Sequence, residues 1–467
     1  MYSIGHIDEP TDLEKVGKYV RVKGWVIISD TDRGELYVDD KFLGQIEPFI
    51  KREDVRQEYL DLEISAPTGF DQIFEMPMLS PGTHTIFLEF KSVKSIKARF
   101  SKHIKKLPPY SHKFFTRLVG NRSRAHQIRY NDSYDHILKT LGIETSRVCN
   151  FHCDMCPAHS EKGRFPKESL VAGDRLIDRV IPFLKDYHHK ISRIDAGSVW
   201  GEPLMNAGFF ANTNRILQAY PEAYLDLTTN GSFLTPENIE RLLDIKNLRQ
   251  ITVSIDAGTK QTYERIRKGG RWDSLIHNIS SLIESKKSRS QAYPMISTNF
   301  VAMKDNFREL PKYVRKMADI GVDVIGVVNA HNCYSSDSEQ GIFDLPTRKS
   351  DVLEEREKII EEVQNIELAE RTSLHLPSFS LNKKSAECSL CAASTMIIGI
   401  EGNVYPCCIL QSLNYEGNPE AIPMGNIFEK DLASIWNSKR FLDFRLDMLR
   451  GLLPNRICLN CPFFYGM

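Results

Sequence analysis

The chain has 467 residues, 41% of them hydrophobic and 26% charged, a balance typical of a folded protein rather than a disordered or membrane one, and its length calls for several hydrophobic cores. Lysine plus arginine equals aspartate plus glutamate at 61 each, so no net field draws the chain to nucleic acid or an anionic membrane, and no specific nucleic-acid partner is expected. The segment from Met1 to Pro10 has no basic stretch leading into an apolar run, and no apolar stretch of about 18 residues occurs anywhere, so a cytoplasmic protein is expected, with its ten cysteines serving as reduced ligands rather than disulfides.

Residues 1–110 carry alternating apolar runs, Val20, Val22, Val26 and Ile28, then Ile86, Leu88 and Phe90. Turn signals at Asp32-Arg33-Gly34, Asp39-Asp40 and Pro81-Gly82 separate them, which predicts a small antiparallel β accessory domain. Gly24-Trp25, Arg52 to Val55, Gly69-Phe70 and Pro81-Gly82 faintly resemble β-sandwich modules attached to bacterial polysaccharide-related enzymes. From Lys91 to Tyr130 there are twelve basic residues and no acidic one, so this stretch, including a linker over 111–134, is a candidate contact for phosphates or an anionic surface. A solvated charge run is the plainer reading of the same residues.

From 135 to 345 apolar strand-like segments alternate with helical ones. The strand candidates are Ile137 to Glu144, Ile191 to Val199, Ala223 to Thr229, Gln250 to Asp256, Met295 to Met303 and Val322 to Asn329. Helical candidates between them are Leu170 to Tyr187, Phe209 to Tyr220, Pro236 to Leu243, Asp273 to Ser285 and Phe307 to Ile320. Six such units predict an α/β fold with a partial (β/α)6 barrel of TIM type, its chemistry at the C-terminal strand ends. An acidic helical linker over 346–384 leads to a cysteine-rich domain over 385–467.

The loop after the first strand reads Cys149-Asn-Phe-His-Cys153-Asp-Met-Cys156-Pro157. Three thiolates this close can reach one face of a cubane cluster and leave its fourth iron without a protein ligand. A three-thiolate zinc site completed by His152 or His159, or cysteines packed on one helix face, would use the same residues. Pro157 and Asn150 favour a loop over a long helix.

CxxxCxxC after the first strand of a six-unit barrel resembles the radical S-adenosylmethionine (SAM) superfamily. That resemblance implies a [4Fe–4S] cluster on Cys149, Cys153 and Cys156, with SAM chelating the open iron. It also implies reductive cleavage of SAM to a 5′-deoxyadenosyl radical that abstracts hydrogen from a substrate.

Further segments follow in the family's order. Trp200-Gly201-Glu202-Pro203 resembles its GGEP segment, implying SAM ammonium binding, with tryptophan replacing the first glycine. Thr229-Asn230-Gly231 resembles its TNG. Ser254 and Asp256, followed by Tyr263, Arg267 and Gly269-Gly270, resemble its SxD…R arrangement, implying that Ser254 and Arg267 meet the SAM carboxylate. Asn299 is a candidate ribose or methionine contact or else a buried polar residue satisfied within the sheet. Met155 stands where the family often has an aromatic residue, with its backbone toward adenine.

The C-terminal cysteines are Cys388, Cys391, Cys407, Cys408, Cys458 and Cys461. Their spacing alone fits either an iron–sulfur cluster or structural zinc. With Gly402, Gly425-Asn426, Trp436 and Cys458-Leu-Asn-Cys461-Pro462, they resemble the SPASM and twitch auxiliary-cluster domains. The shorter cysteine set implies one auxiliary [4Fe–4S] cluster on Cys391, Cys407, Cys458 and Cys461, leaving Cys388 and Cys408 spare.

Cys333, beyond the sixth strand, is a candidate hydrogen donor to a substrate radical, as in radical SAM sugar epimerases that this layout resembles. The expected substrate is a sugar, cyclitol or glycolipid precursor, with a peptide or protein as the alternative, and an external donor such as flavodoxin or ferredoxin supplies electrons. A non-catalytic electron carrier or zinc-stabilised binding module would have no use for Gly201-Glu202-Pro203 or for Ser254 to Arg267.

Overall fold

The computed structural model describes residues 4–9, 14–16, 19–27, 33–39, 41–46, 50–51, 68–76, 82–92, 95–106, 138–153, 155–156, 171–186, 191–197, 200–330, 350–377, 388, 392–449, 452–459 and 461. His159, Cys333, Cys391 and the linker over 111–134 lie outside them. The chain divides into two compact units, Met1–Asn131 with Asp443–Cys461, and Asp132–Leu442 with Pro462–Met467.

The first unit holds two sheets. One has the order β1 (Ile4–Glu9), β3 (Tyr19–Ile27), β7 (Thr68–Glu75), β6 (Ile50–Lys51). The other runs β2 (Glu14–Val16), β9 (Ser95–Lys106), β8 (Gly82–Ser92), β4 (Arg33–Val38), β5 (Lys41–Ile46). The period-two pattern decides which residues face inward: Val20, Val22, Leu36, Val38, Ile86, Leu88 and Phe90 are all buried in one cluster. Phe70 of one sheet meets Phe90 of the other at 5.9 Å between ring centroids.

The second unit is built on a mostly parallel sheet. Its central strands are β10 (Thr140–Ile143), β12 (Arg193–Asp195), β13 (Tyr224–Thr229), β14 (Leu248–Ser254), β16 (Met295–Ala302) and β17 (Val324–Asn329), paired in that order. All their pairings are parallel, and five of the six strands fall inside the segment their apolar run predicted, while β14 begins two residues before its own and ends two residues earlier. The sheet is open rather than closed into a barrel. β18 (Ser373–His375) extends it beyond β17, and β19 (Thr395–Ile398) pairs in parallel with β10. The antiparallel strands β20 (Asn403–Tyr405) and β21 (Gly425–Asn426) follow, so the cysteine-rich end contributes to the same sheet as the core.

Helices cover one face of this sheet. Leu225, Leu227, Ile251, Val253, Ile296, Phe300, Ile325 and Val327 are buried, while alternate positions such as Asp226, Thr252, Ser254 and Asn299 stay half-buried and polar. Helix starts follow local rules. α3 (Pro236–Leu243), after α1 (Asp174–Asp186) and α2 (Phe209–Ala219), opens on Thr235, whose hydroxyl accepts from the Asn238 amide, with Pro236 at the first position. α4 (Lys260–Ile266) and α5 (Trp272–Ser288) precede α6 (Leu310–Ile320), which ends on Gly321 at φ +83°, a left-handed conformation glycine adopts without a Cβ penalty. The acidic α7 (Ser350–Gln364) places Glu355 at 2.6 Å from Arg308 and Glu362 at 2.8 Å from Arg315.

Two polar side chains, one buried and one half-buried, shape the strand-end loops. Asn306 is fully buried; its amide donates to the Asp256 and Val301 carbonyls at 2.9 Å each, and its oxygen accepts from the Met303 amide at 2.7 Å. Glu309 accepts from the Gly258 amide and the hydroxyls of Thr259 and Thr262 at 2.6–2.9 Å. Burial alone would raise the Glu309 carboxyl, and these hydrogen bonds outweigh it and hold it below its usual range. Asn306→Ala leaves two carbonyls and one amide buried without partners, and the expected loss is about 2–4 kcal/mol in chemical denaturation of the second unit.

Candidate active site

The segment from Ser146 to Cys156 has little regular structure, and its form is imposed by the loops beside it. Its one strand, β11 (His152–Cys153), pairs antiparallel with β15 (Arg267–Lys268), placing Cys153 opposite Arg267. The pairing requires close backbone contact. Gly269 follows at φ +98°, and a Cβ there would stand 2.8 Å from the Asn150 carbonyl oxygen. A Cys156 amide bond to the Cys153 carbonyl at 3.0 Å closes the turn that brings these two thiols to one side.

A second crossing fixes the start of the segment. A Cβ on Gly201 would lie 2.3 Å from the Ser146 carbonyl oxygen and 2.9 Å from the Arg147 Cα, and the Glu202 amide donates to the Val148 carbonyl at 2.8 Å. Glu202 is 1% exposed. Its carboxylate accepts from the Thr229 hydroxyl at 2.7 Å, the Asn230 amide at 2.7 Å and the Leu204 amide at 3.2 Å. Burial raises this carboxyl, against the pull of those donors and Arg267. Three of its four acceptor positions are thus used in tying the ends of β12 and β13 together, and Pro203 follows in a short 3-10 turn that Glu202 caps.

Asn230 extends the clamp to the first cysteine. Its side-chain amide donates to the Asn150 side-chain oxygen Oδ1 at 3.0 Å and lies 3.8 Å from the Cys149 sulfur, which also accepts from the Phe151 amide at 3.4 Å. All three cysteines are half-buried. Burial pushes the Cys149 thiol up and the Cys153 thiol up to about 12, with nearby Arg267 opposing both shifts. Such thiols release protons when they take a metal.

Arg267 is the cation of the site. Its guanidinium forms a 2.5 Å ion pair with fully buried Asp256, and Nη1 lies 3.9 Å from the Cys153 sulfur. Asp256, at φ +61°, also accepts from the Val301 amide at 2.7 Å. Arg267 Nε is buried with no hydrogen-bond partner among the described residues, an open donor for an incoming anion.

Ser254, the last residue of β14, pairs in register with Asn299 within β16, and both are half-buried. Met155 and Val301 pack on Ile266, Met303 and Ala330, an apolar wall beside the cysteine loop. Gly201, Glu202, Asn230 and Arg267, with Asp256 behind Arg267, therefore gather around the segment of the three cysteines. The donor set fits an iron–sulfur cluster: three thiols, N–H groups toward Cys149 and a buried cation beside Cys153 to offset anionic charge. Among the described residues, no group of three His, Cys, Asp or Glu side chains is arranged around a single-ion site.

The C-terminal cysteines are placed less completely. Cys407 caps α8 (Cys408–Tyr415), its sulfur accepting from the Leu410 amide at 3.5 Å. Cys408 is pushed up to about 12 by burial, with the charges of Asp195 and Cys388 adding to the effect, so the two cysteines set aside in the sequence lie near each other. Cys458 and Cys461 are buried in the first unit, where the Cys461 amide donates to the Cys458 carbonyl at 3.3 Å. Trp436 is buried against Phe441, their ring centroids 4.7 Å apart. Sequence reading missed Asn306, Glu309 and the Arg147 cluster described below, because their partners are distant in the chain. An arginine two residues before Cys149 was the one local signal.

Residues 143–317 match the family model of the radical SAM superfamily, and residues 388–462 match that of an iron–sulfur cluster-binding domain, SPASM. A tungsten-containing aldehyde ferredoxin oxidoreductase cofactor-modifying protein of Pyrococcus furiosus is 25% identical over 336 residues, 69% of this chain and 87% of that protein. A probable GTP 3′,8-cyclase of Saccharolobus islandicus is 24% identical over 234 residues, 50% of this chain and 68% of that one. Among solved structures, Streptococcus suis SuiB bound to the precursor peptide SuiA is similar in fold, with a TM-score of 0.50 and 16% identity over 71% of each chain.

Gly201→Ala is expected to drive the Ser146–Cys149 backbone away from Glu202. Iron content after anaerobic reconstitution should fall well below that of the unaltered protein, while the first unit still melts normally by circular dichroism.

Proposed function

The chain belongs to the radical SAM superfamily and carries a SPASM iron–sulfur domain; from that premise we propose that it modifies a polar small molecule, a sugar, cyclitol or glycolipid precursor, by hydrogen abstraction. SAM, bound to a [4Fe–4S] cluster, supplies the chemistry: its reductive cleavage yields methionine and a 5′-deoxyadenosyl radical. No helix among the described residues is long and apolar enough to cross a membrane.

Cys149, Cys153 and Cys156 hold the SAM-binding cluster in this reading. The observation that carries it is the convergence of Gly201-Glu202, Asn230 and Arg267 on the loop of the three cysteines. Glu202 retains one acceptor position for the SAM ammonium, and Arg267 Nε, with Ser254 nearby in the family pattern, takes the carboxylate. Met155 and its apolar neighbours exclude water beside the adenosyl group, and Asn299 contacts the ribose or methionine portion. Cys391, Cys407, Cys458 and Cys461, all within the matched 388–462 segment, hold one auxiliary [4Fe–4S] cluster. An external flavodoxin- or ferredoxin-like protein delivers the electron.

A small-molecule substrate is favoured by the half-buried polar face of the sheet and by two relatives whose names specify a cofactor and a nucleotide. The fold likeness to SuiB with its precursor peptide favours the second reading, a peptide or protein maturase. Cys333, by its place after β17 in the sequence, gives a hydrogen atom to the substrate radical, and the resulting thiyl regains one electron and one proton.

Anaerobic reconstitution is expected to give about eight irons per chain, two cubane clusters. Adding SAM and dithionite should then produce 5′-deoxyadenosine, with production lost in Cys149→Ala, Cys153→Ala and Cys156→Ala. Zinc without iron, or intact SAM, would overturn this reading. In heavy water, deuterium should enter a sugar-type substrate rather than a peptide; the reverse would establish the maturase.

Cys333→Ala should still cleave SAM but lose deuterated product by about a hundredfold. An unchanged rate would remove Cys333 from the mechanism.

A further inference from the structure

Trp200 occupies the place of the first glycine in the family's motif, and it is 2% exposed. Its ring packs against Tyr415 at 6.1 Å between centroids, and Tyr415 belongs to the C-terminal cluster-binding segment. On the adjacent strand-end segment, Arg147 reaches the same tyrosine, its guanidinium carbon 4.1 Å from the ring centroid. Trp200 and Arg147, which both contact Tyr415, flank the crossing at which Gly201 leaves no space over Ser146 and Arg147.

The polar contacts are dense. Arg147 forks onto Glu144 at 3.0 and 2.7 Å, and its two terminal nitrogens meet Glu401 of the cluster-binding segment. The Tyr415 hydroxyl donates to Glu144 at 3.1 Å and accepts from Gln411 at 3.2 Å, and the Ile400 amide donates to the same Glu144 oxygen at 3.0 Å. The Glu144 and Arg147 side chains are fully buried, and that of Glu401 is 25% exposed. A Cβ on Gly399 would stand 2.3 Å from the Tyr415 hydroxyl, so within the C-terminal segment the hairpin packs on this tyrosine as closely as its backbone allows. A bidentate, buried fork fixes direction as well as distance, which a hydrophobic patch does not.

We infer that Arg147 and Trp200 are positioning residues through which Glu401 and Tyr415 of the C-terminal cluster-binding segment set the backbone of the cysteine and Gly201-Glu202 loops, and hence the affinity for SAM. This rests on the proposed function for the role of those loops. The cluster-binding segment then does more than hold its own metal centre. Its docking completes the SAM site from behind, without touching SAM.

The test uses the full chain with Tyr415→Phe and Glu401→Gln, which keep ring and side-chain volume, alongside Trp200→Gly and Trp200→Phe. Amide hydrogen exchange of residues 144–151 is read in the cluster-free protein. SAM affinity, and the change that SAM causes in the electron paramagnetic resonance spectrum of the reduced cluster, are read after reconstitution. Tyr415→Phe, Glu401→Gln and Trp200→Gly are expected to speed exchange at 144–151 and to weaken SAM binding about tenfold at undiminished iron content, with Trp200→Phe restoring most of it.

Unchanged exchange and SAM affinity in Glu401→Gln and Tyr415→Phe, with only a lower melting temperature, would overturn the inference and leave a structural staple. Should exchange respond while the unaltered protein neither binds SAM nor changes its spectrum, the functional reading fails, and the role in SAM affinity fails with it.

Discussion

The close passage of the Gly201 backbone over Ser146 and Arg147 is the constraint on which the site depends. An irregular segment carrying three thiols has no ladder of its own to hold it, so its conformation must come from contacts at fixed distances. Gly201 supplies one at the start and Gly269 another at β11–β15. Glu202 then locks two strand ends together by accepting donors from both. The two glycine contacts are to backbone, which cannot move aside as a flexible side chain can. The loop is therefore positioned before any metal arrives, and the ordering entropy of binding is reduced.

Electrostatics follow from this geometry. Burial opposes every charge at the site: it raises the thiols of Cys149 and Cys153 and the carboxyls of Glu202 and Asp256. Arg267 is the common counterweight, paired with Asp256 on one side and facing Cys153 on the other. A single guanidinium is thereby shared between the buried Asp256 carboxyl and thiols that become anionic as metal ligands, and the protein tolerates the deprotonated thiols best when the cation is already oriented.

Much of this was legible in the sequence, and for identifiable reasons. The parallel strands were read from apolar runs of strand length, because burial on one face and helix coverage leave that signature in β13, β14, β16 and β17. The glycines at 201 and 269 were visible only through a family motif; the structure supplies the physical reason for them. Glu202 was expected to meet SAM, and its three internal hydrogen bonds show a tying role that a motif does not reveal. What stayed hidden are pairings across long stretches of chain. Arg147 with Glu401 is separated by more than half the sequence, and no periodicity links residues of that kind. The addition of β19 to the sheet was hidden likewise, since a cysteine-rich terminus reads as a separate domain by composition.

That strand has a consequence for how the protein is made. β10 is flanked by β12 and β19, and its second neighbour lies about 250 residues downstream, which a ribosome takes roughly 10–50 s to add. Throughout that interval one edge of β10, immediately before the cysteine loop, presents unpaired amides and carbonyls to whatever is nearby. The sheet around β10 is complete only once β19 has been made, so the edge beside the loop closes late and is a point at which holding chaperones have reason to act.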